Sequence, residues 1–233
     1  KVTGSSMTFM GEESAGVAAV ETAAARIRAG QSTHALVGGA FNTEHPDMLL
    51  GIELGRHLHR GPWKPVWQRD GAEGGGLITG SGGAFLVLES REHAEKRGRR
   101  IYAALERVAS SRTRRGRDDL AESIARLIRD TRPPAGPLLA VSGASGAHDA
   151  TRAERAALDR IGDVAYRALS TATGHLKEGQ FPFAIAMAAL AIHHGAGLAP
   201  FESAEQPYAG TPKAALATAI GFFRFEGAAL VVA

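Results

Sequence analysis

Apolar and polar positions alternate along the chain in blocks of two different periods. The period near 3.6 that is typical of helices occurs in six segments: Ser14–Ala29, Met48–His57, Ser90–Gly98, Asp118–Asp130, Ala150–Ile161 and Gln180–His193. Extended apolar segments predict strands over Lys1–Met10, Ala35–Phe41, Gly83–Glu89, Arg100–Val108, Leu138–Ser142 and Val164–Leu169, with a closing hairpin over Phe222–Val232. Strands that alternate with helices predict the α/β class, with a mixed or parallel sheet covered on both sides.

Two of these segments and one loop region carry a more specific expectation. Gly83–Glu89 is continuously apolar, which is typical of a strand buried on both faces. Gln180–His193 is apolar nearly all round, which predicts a buried helix. Residues 42–76, between the predicted strands Ala35–Phe41 and Gly83–Glu89, contain several prolines and glycines, which predicts a long loop region. A loop of this length is usually functional or contacts a partner.

Composition narrows the function classes. Lys plus Arg is 27 and Asp plus Glu is 24, so the net charge of +3 is too small to indicate nucleic-acid binding. The chain has no cysteine, which excludes a disulfide, a Cys-ligated metal and a cysteine nucleophile within it. No apolar run reaches the roughly 20 residues of a membrane helix, and no secretory leader is recognisable. We expect a cytoplasmic location, and the initial Lys1 suggests a fragment or a processed chain.

Standard site motifs are missing. The sequence has no H-E-x-x-H, no P-loop, no dinucleotide-binding G-x-G-x-x-G and no G-x-S-x-G. The pairs His57/His59 and His193/His194 do not have the spacing of three or four that places two imidazoles on one helix face. We therefore expect no metal and no cofactor.

One short segment indicates chemistry by itself. Gly174 and His175 precede the buried helix predicted from Gln180. The positive end of a helix would keep that imidazole neutral and able to donate a hydrogen bond to a carbonyl oxygen. An ordinary helix-cap histidine is the alternative.

Five stretches, taken in order, carry a resemblance to a known family. They are Glu12–Phe41 (EESAGVAAVETAAARIRAGQSTHALVGGAF), Gly74–Leu105 (GGGLITGSGGAFLVLESREHAEKRGRRIYAAL), Leu138–Leu158 (LLAVSGASGAHDATRAERAAL), Ser170–Gln180 (STATGHLKEGQ) and Gly221–Val232 (GFFRFEGAALVV). In these stretches the chain resembles the C-terminal part of a β-ketoacyl-acyl carrier protein synthase. The resemblance implies the thiolase-like layered αβαβα fold of the α/β class, represented by the nucleophile-helix region and the C-terminal half.

The same resemblance shows departures at the catalytic positions. That family uses a thiolate at a helix N-terminus. The family's cysteine, first histidine and lysine positions fall on Glu13, Gly143 and Ser170, with Glu154 fixing the register, and the second histidine is kept as His175. Condensation with loss of CO₂ needs a thiol and two polarising groups, and this chain keeps one of the three.

The resemblance therefore implies a subunit that is inactive alone. It divides the chain into 1–90, the end of the N-terminal half with the nucleophile-position helix, and 91–233, the C-terminal half. Like chain-length factors, the chain would pair with a catalytic ketosynthase subunit as a heterodimer, serve an acyl carrier protein, and shape the acyl tunnel in fatty acid or polyketide/polyene biosynthesis. Glu13, and Phe225 in the position of the family's gating phenylalanine, would bind substrate. A partner surface, in the same or another polypeptide, would cover an apolar sheet face.

Two alternatives stay open from the sequence. The first is changed chemistry, such as decarboxylation of malonyl thioesters, with Glu13 as base and His175 as oxyanion donor; against it, the acid would repel the malonyl carboxylate. The second is a pure interaction protein that docks an acidic carrier protein on the basic run Arg112–Arg117, which otherwise is a solvated loop.

Overall fold

The computed structural model describes residues 4–116 and 118–233. Its helices are α1 Glu13–Arg28, α2 Pro46–Leu54, α3 Arg91–Lys96, α4 Leu120–Asp130, α5 His148–Ile161, α6 Ser170–Thr173 and α7 Gln180–His194. Its strands are β1 His34–Phe41, β2 Gly82–Glu89, β3 Ala104–Ser111, β4 Leu138–Ser142, β5 Val164–Ala168, β6 Ala214–Ile220 and β7 Glu226–Val232. Single 3-10 turns lie at Val66–Gln68 and Lys177–Gly179.

Five strands form a mixed sheet in the order β3-β7-β6-β4-β5. β4 is parallel to both β5 and β6, whereas β7 is antiparallel to β6 and β3. The two central strands β4 and β6 are buried along their whole length, which agrees with their apolar sequences and with a sheet covered on both faces.

Helices cover both faces of this sheet, as predicted. Ile124, Ile128 and Leu158 from α4 and α5 pack in one core with Leu216 and Leu230 of the sheet. On the opposite face α1 and α7 pack in a second core. The strongly amphipathic α4 begins at Asp119, whose side chain accepts the Glu122 N–H, an N-cap that stabilises the first turn.

Strands β1 and β2 form a separate antiparallel pair outside α1 and α7. Its inner face holds Val37, which is part of the second core. Its outer face presents Leu36, Phe85 and Val87, which are 63%, 62% and 63% exposed. The prediction that Gly83–Glu89 is buried on both faces is therefore wrong, because among the described residues no layer covers the outer face.

Other differences from the sequence prediction have physical causes. Residues 4–10 are not a strand; the rest of the predicted strand Lys1–Met10 lies outside the described residues. The closing hairpin begins at Ala214, well before Phe222, and the alanine-rich β6 was not predicted as a strand. Alanine favours helices in isolation, and only pairing with β4 and β7 extends this segment.

Candidate functional site

The two residues that the resemblance placed at the nucleophile and second-histidine positions meet in the interior. Glu13 is the first residue of α1, and His175 lies between α6 and α7. Both side chains are fully buried, and His175 Nε2 lies 2.5 Å from Glu13 Oε1. The positive N-terminal end of α1 favours an acid at this position.

Backbone contacts fix the position of His175. Its N–H donates to the Ile78 carbonyl oxygen at 2.8 Å, and its carbonyl oxygen accepts the Gly80 N–H at 3.0 Å. Gly174 precedes it with φ +71°, and a side chain on Gly80 or Gly174 would strike the neighbouring backbone. Helix α7 starts at Gln180, five residues after His175. The helix N-terminus that the His175 ring contacts is that of α1, through Glu13, and not that of α7 as the sequence suggested.

Gly143 follows β4 and leaves no room for a second imidazole. Its N–H donates to Thr218 Oγ1 at 3.0 Å. A Cβ at this position would lie 2.7 Å from Ala219 Cα and would clash with the Thr218 carbonyl oxygen. The close approach of β4 and β6 thus depends on glycine here.

Glu154 is a fully buried carboxyl near this strand end. Its Oε1 accepts hydrogen bonds from Ser142 Oγ at 2.9 Å and from Thr218 Oγ1, while Oε2 has no partner among the described residues. Burial raises the pKa of Glu154 to about 7, and the two hydroxyl donors and the charge of His175 only partly oppose this. The site therefore contains a second buried acid, which the sequence analysis used only as a register marker.

Ser170, which the resemblance placed at the family's lysine position, begins α6 and is buried. Its Oγ has no hydrogen-bond partner within the described part of the chain, and neither does His175 Nδ1. Ser170 is thus near the site in sequence without a hydrogen bond to the Glu13–His175 pair.

Glu12 and Gly221 also belong to the site, although sequence reasoning gave neither a role. Glu12 Oε2 accepts the Phe223 N–H at 3.4 Å. A Cβ at Gly221 would lie 3.2 Å from both Glu12 Oε2 and Glu13 Oε2, so the two carboxyls meet beneath this glycine. Burial, and then the charge of Glu13, raise the pKa of Glu12 to about 7.

Phe225 lies at the other end of the same turn. It has φ +60°, and its ring lies under the Arg112 guanidinium, 5.1 Å from Cζ to the ring centroid. With Phe9, Ser14 and Ala15 among others, it lines a groove of about 250 Å³ along α1. Glu13 does not line that groove, so the two predicted substrate-binding residues face different spaces.

The basic run Arg112–Arg117 is partly structural. Arg115 Nη1 lies 2.5 Å from Glu226 Oε1, and Nη2 donates to the Gly221 carbonyl oxygen. Glu226 also accepts from Ser111 and Thr113. Arg117 lies outside the described residues. Arg115 therefore anchors this loop to the β6–β7 turn and is not available as a free docking cation.

The described residues contain no group of three or more His, Asp or Glu side chains arranged to hold a metal ion. No helix in the described ranges is long and apolar enough to cross a membrane.

The sequence marked Glu13 and His175 as separate candidate site residues, but it gave no site role to Glu12 or Glu154. A signal for Glu154 was available, because it lies on the same face of α5 as the buried Ala150, Ala157 and Leu158. A carboxylate on an apolar helix face is seldom buried without a role. The sequence around Glu12 had no such signal, because its hydrogen-bond donor, the Phe223 N–H, is 211 residues away in the chain and reaches Glu12 only through the fold of the β6–β7 turn.

Known proteins of similar sequence and fold agree with this architecture. Residues 1–94 match the family model described as the N-terminal domain of β-ketoacyl synthases. No curated protein matches the sequence.

Solved structures match most of the chain. One is a type II polyketide synthase acyl-carrier protein in complex with its ketosynthase bound to the hexaketide (AntDE:AntF), with 21% identity, TM-score 0.75 and coverage of 95% of this chain and 61% of that one. The ishigamide ketosynthase/chain length factor matches with 21% identity, TM-score 0.75, and coverage of 93% and 58%. A β-ketoacyl synthase from Burkholderia phymatum STM815 matches with 18% identity, TM-score 0.73, and coverage of 95% and 60%.

The chain thus spans about three fifths of the length of these three structures. At these identities the likeness establishes the fold. The α/β architecture described above is the thiolase-like fold of the ketosynthases, as the resemblance implied, and its N-terminal 94 residues match the β-ketoacyl synthase family model.

Proposed function

We propose that the chain is a non-catalytic ketosynthase-like subunit that pairs with an active ketosynthase and shapes its acyl tunnel, in the manner of a chain-length factor. The observation that carries this proposal is the Glu13–His175 pair. Where the family has a nucleophile and a polarising histidine, this chain has two fully buried side chains that bond to each other.

Acyl transfer needs a nucleophile that reaches the thioester and donors that point at the developing oxyanion. Glu13 cannot take the place of a thiolate in this role, and its partner is already His175. The position of a second imidazole is occupied by backbone around Gly143. These features support a structural role for the former active site.

The outer face of the β1–β2 pair supports the pairing. Leu36, Phe85 and Val87 form a contiguous apolar row on two neighbouring strands, since Val87 lies opposite Leu36 and Phe85 lies opposite Gly38. An exposed row of this kind is typical of a surface that another polypeptide covers. One of the similar structures is a ketosynthase/chain length factor, and another is an acyl-carrier protein in complex with its ketosynthase. We extend both partner types to this chain as part of the proposal.

The test is a reconstituted condensation assay. A cysteine-bearing ketosynthase from the same organism is assayed with acyl and malonyl carrier protein, with and without this chain, and both rate and product length are measured. We expect the chain to change the product length, and Phe225→Ala to shift the product distribution without abolishing the complex. An unchanged rate and an unchanged product distribution would rule the proposal out.

A second experiment tests whether the isolated chain decarboxylates malonyl thioesters. The carboxyl of Glu13 would meet a malonyl carboxylate with like charge, and it is closed off from solvent. We therefore expect no CO₂ release from malonyl carrier protein by the isolated chain above that of the His175→Ala variant. Release that depends on His175 would replace the structural role with the enzymatic one.

A further inference from the structure

The turn between β6 and β7, residues 221–225, lies directly over the Glu12 and Glu13 carboxyls. Glu12 Oε2 accepts the Phe223 N–H at 3.4 Å. Within the turn, the Gly221 N–H donates to the Phe225 carbonyl oxygen at 3.0 Å. A Cβ at Gly221 would clash with the Arg224 carbonyl oxygen, so the turn itself needs glycine here, and the same Cβ would lie 3.2 Å from Oε2 of both Glu12 and Glu13.

Glu13 has an unsatisfied acceptor beneath the turn. Its Oε1 is bonded to His175, but its Oε2 is fully buried and has no donor among the described residues. An unpaired buried acceptor destabilises the folded state, because it has lost its hydrogen bonds to water. The adjacent Glu12 carboxyl, when protonated, is a donor in the right place, and when ionised it is a second negative charge beside the first.

The other charged and titratable groups around Glu12 do not take over this role. Lys177 lowers the pKa of Glu12 by its charge, but this is the smallest of the contributions. The groups that face Glu12 or hold the turn are Glu13, His175, Lys177, Arg115 through the Gly221 carbonyl oxygen, Arg224 within the turn, and His57, whose ring packs on Phe222 and Phe223.

We propose that Glu12 is a proton-dependent latch: its protonated carboxyl bridges Glu13 to the 221–225 turn and holds the turn closed over the Glu13–His175 pair, and loss of that proton to water releases the turn. In the closed state the acid proton satisfies Glu13 Oε2, while Glu12 accepts the Phe223 N–H. In the released state two carboxylates repel each other, and the turn moves away so that water can solvate them.

The raised pKa of Glu12 sets the pH range over which the turn changes from closed to open. That value is about 7, against 4.5 for an unperturbed glutamate. Opening the turn returns Glu12 to solvent, so opening becomes easier as pH rises through 7. If Glu12 has its ordinary pKa when the turn is open, the equilibrium constant for opening the turn increases about tenfold between pH 6 and pH 8.

Amide hydrogen exchange tests the latch on the isolated chain, independently of any pairing with a ketosynthase. Protection factors, corrected for intrinsic exchange, are measured for the amides of residues 221–226 at pH 6 and pH 8. For the wild type we expect protection to fall about tenfold over this range. Glu12→Gln keeps a neutral donor and acceptor, so its turn should stay protected at both pH values.

Glu44→Gln, an exposed carboxyl elsewhere, is the matched control and should behave as the wild type. Glu12→Ala removes both donor and acceptor and should be poorly protected at both pH values. If this variant does not fold, the comparison of the wild type with Glu12→Gln is sufficient. Protection of the wild-type turn that does not change with pH, or a Glu12→Gln variant that retains the wild-type pH dependence, would overturn the proposal.

Discussion

Glu154 is a single carboxyl with a large effect on how the chain responds to pH. Burial outweighs its two hydroxyl donors, the Gly143 backbone and the charge of His175, so its pKa of about 7 lies above the 4.5 of an unperturbed glutamate. The folded state therefore binds the proton more tightly than the unfolded state. The stabilisation from this proton is complete below pH 4.5 and is lost as pH rises through 7.

The prediction concerns Glu154→Gln. In the wild type we expect Glu154 to lower the free energy of unfolding by about 2–3 kcal/mol between pH 5 and pH 8. In Glu154→Gln this part of the pH dependence should disappear. Urea unfolding at a series of pH values measures it, with the exposed Glu92→Gln as control. Parallel curves for wild type and Glu154→Gln would show that this acid does not titrate in that range.

Gly143 gives a second prediction for a single residue. Because a Cβ there would meet Ala219 Cα at 2.7 Å, Gly143→Ala should lower the free energy of unfolding by about 2 kcal/mol or more. Restoring the family's imidazole with Gly143→His should cost at least as much. Gly51→Ala, in helix α2 with open space around it, is the control and should be neutral or slightly stabilising. A stable Gly143→His variant would mean that β4 and β6 can separate at this point.

At the scale of elements, the pair Arg115–Glu226 joins the loop after β3 to the start of β7. Glu226 is buried, whereas the similar pair Arg129–Glu122 is half exposed on the surface of α4. Removal of the cation would leave a buried carboxylate with only the hydroxyl donors Ser111 and Thr113 and no opposite charge, which is costly. A surface pair contributes little.

We therefore expect Arg115→Gln to lower the free energy of unfolding by about 3 kcal/mol. For Arg129→Gln the loss should stay below about 1 kcal/mol. Chemical denaturation of both variants makes the comparison. Equal and small losses would mean that water replaces Arg115 beside Glu226.

Elements differ in how far their own sequences specify them. The helices α4 and α5 follow from the helical spacing of their apolar residues, whereas α7 and β4 follow from apolar runs whose length suits a buried helix and a buried strand. Strand β6 does not, since its alanines fit a helix equally well and its extended form depends on its neighbours. β3 is likewise displaced toward Ser111 by its pairing with β7.

At the scale of the whole molecule, the chain presents one layer without a cover among the described residues. The order is α4 and α5, the five-stranded sheet, α1 and α7, and then the β1–β2 pair. The outer side chains of that pair contribute little to the stability of the chain itself, because they are more than half exposed.

We predict that replacing Leu36, Phe85 and Val87 together by threonine leaves the free energy of unfolding within about 1 kcal/mol, because threonine keeps a high strand propensity. The variant should bind a hydrophobic dye less and should no longer pair with a ketosynthase. Val37→Thr, on the buried face, should instead destabilise the chain by about 1–3 kcal/mol. Undiminished pairing of the triple variant would place the partner on another surface.

The sequence by itself determined the alternation of helices and strands and the lack of a cysteine nucleophile, and its resemblance to the ketosynthases implied the thiolase-like fold. The alternation follows from local periodicity and the missing nucleophile from residue chemistry, whereas the thiolase-like fold was implied by the resemblance alone. Only the tertiary structure decided that Glu13 and His175 bond to each other, that Glu154 is buried with one oxygen unpaired among the described residues, and that Glu12 lies beneath the β6–β7 turn. Each depends on residues far apart in the chain, and burial and electrostatics are set by those distant neighbours.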